Sequence, residues 1–251
     1  MKLHIWADEP DTLVEVESGT LDRLDRCRGT EHYVFRYAAG SLAEREIEAI
    51  AGEQERAYAK LVDLFGFEMP QRIEYLLTNA PEENGAALGE LFGMEEAFPA
   101  NGCSIGPNYV FATYSDQIRC VGCHEDAHLF SYRLCKPKCE LLSEGLAMYA
   151  DGVFWGKPNE DWVREFLQNG AYVPVRELAS EERFYAHPSQ ITYPIAGAFV
   201  GFLIKELGKE RFFAEVYPSD APLFETLSRL LEVSAAEVEG SFIQHIREAQ
   251  P

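Results

Sequence analysis

The sequence predicts an α+β fold, with a short antiparallel or mixed sheet in the N-terminal half and a helical C-terminal half. Three observations carry this. Aromatic and β-branched runs bounded by turn residues fall before residue 115. Beyond Asp116 the apolar residues recur at helical spacing almost without a break. At 251 residues, 47% hydrophobic and 25% charged, the chain has ordinary globular composition and ample length for a core. Strands gathered first and helices afterwards differ from the alternation of a doubly wound sheet.

Residues 1–30 are acidic and weakly patterned. They are set apart as an N-terminal extension of a short strand or two and a loop, leaving 31–251 as one domain, sheet-rich over 31–115 and helical over 116–251. His32 to Tyr37 reads as a strand, with Gly40 soon after. Ser41 with Glu44 three residues on has the spacing of a capping box. From there Leu42, Ile47, Ile50, Ala57, Leu61, Leu64 and Phe65 mark the stripe of a long helix ending at Gly66. Arg72 to Thr78 reads as a second strand whose alternation is broken at Leu76. Residues 79–107, with five glycines, read as a long loop, and Asn108 to Thr113 resumes as a strand. Helices are expected over 117–134, 139–151, 159–169, 192–208, 209–217, 221–232 and 235–249.

Subtracting 42 acidic from 22 basic residues leaves a net charge of −20, which disfavours nucleic acid and anionic lipid as partners. The best unbroken apolar stretch, Ile195 to Ile204, is ten residues, about half of what spans a bilayer, so no membrane insertion is expected. The opening residues turn acidic at once and lack the apolar core of a signal peptide. A cytoplasmic location follows if Met1 is the native start, and an extracellular or periplasmic one if a leader has been removed.

The chemistry concentrates in His124-Glu125-Asp126-Ala127-His128, which fits H-E-x-x-H. On a helix, residues four apart stand one turn above each other, so both imidazoles can reach one metal ion. Glu125 is turned about 100° from His124 and would address a water at the metal rather than the metal itself. The plainer alternative is two partly exposed helix histidines beside a solvated carboxylate. Glu144, sixteen residues after His128, is the candidate third ligand. Cys135-Lys136-Pro137-Lys138 breaks the helix between them, because proline cannot continue it, and a returning helix would bring Glu144 beside the histidines. Gly145 and Ala147 would let the helices approach closely. The plainer alternative for Glu144 is a carboxylate favoured by a helix dipole. Two histidines, one glutamate and an open fourth position are the pattern of a catalytic zinc, one ion per chain.

The pairing of His124-Glu125-x-x-His128 with Ser143-Glu144-Gly145-Leu146-Ala147 resembles the gluzincin zinc metallopeptidases, specifically their small peptidase-MA-like domains. Tyr193-Pro194-Ile195-Ala196-Gly197-Ala198-Phe199-Val200-Gly201-Phe202-Leu203 is similar to the helix such domains carry after the third ligand. The resemblance covers roughly residues 31–217. It implies a zincin-like fold whose helical half carries the site, with His124, His128 and Glu144 as zinc ligands and Glu125 as general base and acid. It also implies a peptide or protein substrate, and Tyr193 as the hydroxyl that stabilises the oxyanion. For Tyr193 a buried aromatic at a helix start is the alternative, and Tyr132, Tyr149 and His187 are rivals for the role. The chain departs from the thermolysin-like branch at Met148, where that branch has an Asp that orients a ligating His. Asp126, Glu140 and Asp151 are candidates for that support.

Two further segments enter the reading. The strand within Asn101 to Phe111 precedes the metal helix, and an edge strand there could hold an extended peptide through its backbone. Cys120-x-x-Cys123 and Cys135-x-x-x-Cys139 invite a structural metal site, but their spacing is poor. The other options are a disulfide, a redox-sensitive thiol, or small buried hydrophobes. The leading expectation is thus a zinc-dependent peptide hydrolase. The alternatives are a catalytically silent binding or regulatory domain of the same fold and a structural metal site on the cysteines.

Overall fold

A computed structural model of the chain describes residues 1–7, 12–94, 98–135 and 138–248. Strands and helices alternate more than expected in the first 134 residues. A hairpin of β1 (Lys2–Trp6) and β2 (Leu13–Glu17) is followed by β3 (Arg26–Gly29), β4 (Tyr33–Tyr37), α1 (Leu42–Phe65), β5 (Ile73–Thr78), α2 (Pro81–Phe92), β6 (Gly102–Ile105), β7 (Tyr109–Thr113) and α3 (His124–Leu134). After these come α4 (Glu140–Asp151), a small hairpin of β8 (Val153–Phe154) and β9 (Lys157–Pro158), α5 (Asn159–Asn169), α6 (Val175–Leu178), α7 (Glu181–Ala186) and α8 (Ser189–Leu207). The chain ends with α9 (Lys209–Arg211), which runs into a π-turn at Phe212–Val216, then α10 (Leu223–Leu231) and α11 (Ala235–Glu248). The fold is α+β as the sequence predicts. Its contacts divide it into two units, Met1–Phe130 and Ser131–Pro251, with the dividing line inside α3.

The first unit is built on a five-stranded mixed sheet of order β3-β4-β5-β7-β6. β3 and β4 are antiparallel, β4–β5 and β5–β7 are parallel, and β6 returns antiparallel to β7 as an edge. Parallel neighbours need a crossover, and α1 and α2 provide the two. β5 is central, and all its residues except Glu74 are buried. A strand covered on both faces reads as a continuous apolar run, which is why Leu76 breaks the expected alternation.

α1 starts and ends where its caps dictate. The Ser41 hydroxyl accepts from Glu44 N at 3.1 Å, and Gly66 closes the helix in the left-handed region. Its buried stripe includes Ile50, Gln54, Ala57, Tyr58 and Leu61, so two polar side chains lie among the apolar ones.

Residues 79–107 are not one long loop. Pro81 to Phe92 forms α2, and Gly102 to Ile105 forms β6. Gly85 permits the helix a close backbone contact, since a Cβ there would lie 2.2 Å from the Phe98 carbonyl oxygen. Within residues 1–30, β1 and β2 form a two-stranded sheet of their own, and β3 is an edge strand of the five-stranded one. β3 pairs with β4, and Leu3, Ile5, Leu21 and Leu24 share a core with Leu76, Leu91, Ile105 and Phe111. The helix expected over 117–134 begins only at His124. The expected break at Lys136-Pro137 lies outside the described residues.

The second unit is helical around α8, whose residues Ile195 to Val200 are all buried. The close approach that Gly145 permits is to this helix: a Cβ on Gly145 would lie 2.7 Å from both the Ala196 carbonyl oxygen and Val200 Cγ2. Met148, also buried, packs at the same contact, and its carbonyl accepts from Asn159 Nδ2 at 2.8 Å. Among the described residues no single helix is long and apolar enough to cross a membrane.

Candidate metal centre

His124 and His128 stand at the first two turns of α3, with ring centroids 5.0 Å apart. What turns them the same way is the opposite side of the helix. At 100° per residue, Asp126 points about 180° from the mean direction of the two imidazoles. Its side chain is completely buried. The Tyr33 hydroxyl donates to Asp126 Oδ2 at 2.5 Å, the Tyr75 hydroxyl to Oδ1 at 2.8 Å, and Gln54 Nε2 to Oδ2 at 3.1 Å. Burial and the Asp126 charge push both phenols above their ordinary range, so they remain donors. Gln54 also brackets the backbone of Gly122, accepting from its N–H at 2.6 Å and donating to its carbonyl at 3.1 Å. The β4–β5 face and α1 thereby set where α3 begins and how it is rotated. Asp126, one expected support for a ligating His, is committed to this anchor on the back of the helix.

Glu144 lies on α4 beside Gly145, so the tight packing of α4 on α8 holds the segment that carries it. A ring nitrogen of His124, one of His128 and a carboxylate oxygen of Glu144 all lie within 4.8 Å of one another. Donors around a tetrahedral zinc, at about 2.0–2.1 Å from the ion, are about 3.3 Å apart. Two imidazoles and a carboxylate are also the donor chemistry of an open zinc site. The residues fit the group. Among the described residues no cysteine joins a set of three or more such ligands.

Glu125, one residue on, is nearly buried. Ser104 Oγ lies 2.8 Å from its Oε2 and 2.6 Å from its carbonyl oxygen. Gly102 lies beside the same carboxylate: a Cβ there would sit 2.3 Å from Glu125 Oε1 and 2.6 Å from Cys120 Sγ. The edge strand is β6, and β7 is internal with all five residues buried. Phe111 is therefore core.

Tyr193 sits near the start of α8, its ring 6.1 Å from Phe184 and 6.5 Å from Phe154. Tyr185, over half exposed, donates to Glu140 Oε2 at 3.0 Å, and Glu140 is one turn before Glu144. Burial, Glu140 and Glu144 together push the Tyr185 phenol above its ordinary range. Glu140, a second expected His support, receives the Tyr185 hydroxyl.

All six cysteines are thiols. Cys123 is buried and directed at the Ala57 carbonyl 3.9 Å away, and Cys139 lies 3.6 Å from the Ala179 carbonyl. Burial pushes the Cys135 and Cys139 thiols up, which suits small buried hydrophobes better than reactive thiolates.

Sequence reasoning missed Gln54, Tyr33, Tyr75, Ser104 and Tyr185. Gln54 carries one signal: a polar residue spaced four after Ile50 and three before Ala57, within an apolar stripe. No family model matches the chain, and no curated protein matches it in sequence.

Proposed function

We propose that the protein is a zinc-dependent hydrolase that cleaves peptide bonds. The observation that carries this reading is the proximity of the His124, His128 and Glu144 donor atoms, with the Glu125 carboxylate on the neighbouring stripe of the same helix. His124, His128 and Glu144 would hold the ion. When bound, zinc supplies a Lewis acid that acidifies water and polarises a carbonyl.

The remaining work falls to side chains. Glu125 takes a proton from the attacking water and returns it to the leaving amine, a shuttle that one carboxylate performs in both directions. A phenol donates to the oxygen that gains charge as the carbonyl carbon becomes tetrahedral, Tyr193 being the assigned donor. Its contribution is about 3 kcal/mol, the typical cost of removing one such donor. The Asp126 anchor keeps the imidazoles facing the ion and not the sheet.

The retention of a carboxylate at position 125 supports a hydrolase over a silent binding domain, which has no use for a general base. The test compares the zinc-loaded parent with Glu125→Gln on a tryptic digest of casein. The parent should shorten the peptides, and Glu125→Gln should retain its zinc and lose at least 100-fold in rate, the scale of a lost general base (~10²–10⁴). Equal activity of the two proteins would refute the assignment.

A further inference from the structure

β6 does more than end the sheet. Gly102 and Ser104 are two residues apart on this edge strand, so they present the same face. Both meet Glu125. Ser104 Oγ is at 2.8 Å from Oε2, while Oε1 occupies the space that any side chain at position 102 would take. One carboxylate oxygen is thus held by a hydroxyl and the other rests against a bare backbone. This arrangement is independent of the ligand set, since none of His124, His128 or Glu144 takes part in it.

We infer that Ser104 is a positioning residue that fixes the Glu125 carboxylate for proton transfer, with Gly102 leaving the room it needs. The inference rests on the hydrolase reading above for its consequence, and on the β6–α3 contact for its geometry. Ser104 Oγ also lies 2.6 Å from the Glu125 carbonyl oxygen. A hydroxyl has one proton to give and lone pairs to receive with. Its proton can go to the Glu125 carboxylate or to the Glu125 carbonyl, both within hydrogen-bond reach. One hydroxyl therefore ties the carboxylate to the backbone of its own residue. Alanine removes this, and threonine, which suits a strand, keeps it.

The experiment uses full-length Ser104→Ala, Ser104→Thr and Gly102→Ala. Crystal structures of the zinc-loaded proteins are compared with the parent, and kcat and KM are measured on the casein peptide that the parent cleaves fastest. In Ser104→Ala and Gly102→Ala the Glu125 carboxylate should leave its parent position by about 1 Å or more. Zinc content and KM should stay unchanged, and kcat should fall about tenfold or more, since a 1 Å misplacement can cost about 100-fold. Ser104→Thr should keep the carboxylate in place and restore kcat to within a few-fold of the parent. If the carboxylate of Ser104→Ala stays where it is in the parent, or its kcat is unchanged while Glu125→Gln is inactive, the inference is overturned and the hydrolase reading stands. If the parent cleaves no peptide, the hydrolase reading falls, and the carboxylate position in the Ser104→Ala crystal still decides whether Ser104 places Glu125.

Discussion

Asp126 is the residue on which the orientation of the site turns, although it faces away from it. Three donors converge on its buried carboxylate, two of them phenols that burial keeps protonated. Hydrogen bonds to charged groups are each worth about 1.5–3 kcal/mol. Tyr33→Phe should therefore lower unfolding stability by about 2 kcal/mol in urea titration. Asp126→Ala, which strands two hydroxyls and an amide, should cost more, and it should also weaken zinc binding by freeing the rotation of α3. The proposed oxyanion donor is open to a direct comparison. Tyr193→Phe should reduce kcat about 100-fold with zinc content unchanged. A loss in Tyr185→Phe instead would move the donor role to the phenol beside Glu140. At this scale the sequence was legible where spacing encodes geometry. Four-residue separation puts His124 over His128 whatever the rest of the chain does. Ser104 and Gln54 were illegible because a single hydroxyl or amide has no period, and their partners lie 21 and 72 residues away.

Helix contacts decide how firmly the site is held. α4 lies against α8 across Gly145, the residue after Glu144, and the obstacles to a larger residue are Val200 Cγ2 and the Ala196 backbone, which cannot swing aside as a long side chain could. Gly145→Ala should cost about 1–3 kcal/mol, the usual range for overpacking. Its zinc affinity should fall as well, measured by competition with a chromophoric chelator, because the displaced segment carries a ligand. An unchanged affinity would show that Glu144 does not depend on this packing. Long amphipathic helices and their caps were readable from Ser41, Glu44 and Gly66. α2 was not, since Gly85 and Gly89 look like loop residues until the helix is seen to need a close backbone neighbour at Phe98. The N-terminal boundary of α3 was overextended because apolar spacing continues through 117–123, a segment held instead by a bridge between Tyr114 and Arg119 and by Gln54 at Gly122.

For the whole chain, the α+β class was legible in the order of strand-like and helix-like segments. The parallel crossovers and the pairing of β3 with β4 were not, because strand pairing is a long-range property that local pattern does not encode. The excess of 20 negative charges opposes compaction by self-repulsion. In the metal-free protein the thermal midpoint should rise between 10 mM and 200 mM sodium chloride as that repulsion is screened, and a fall would show that attractive ion pairs dominate. Zinc at about 1,000 times its dissociation constant should add about 4 kcal/mol of apparent stability if it binds only the folded chain. The most direct test of the whole account is zinc stoichiometry by atomic absorption after exhaustive dialysis, on the parent and four single variants. One ion per chain should be found in the parent and in Glu125→Gln, and none in His124→Ala, His128→Ala or Glu144→Ala. A parent that binds no zinc, or a Glu144→Ala protein that binds it as tightly as the parent, would contradict the central claim.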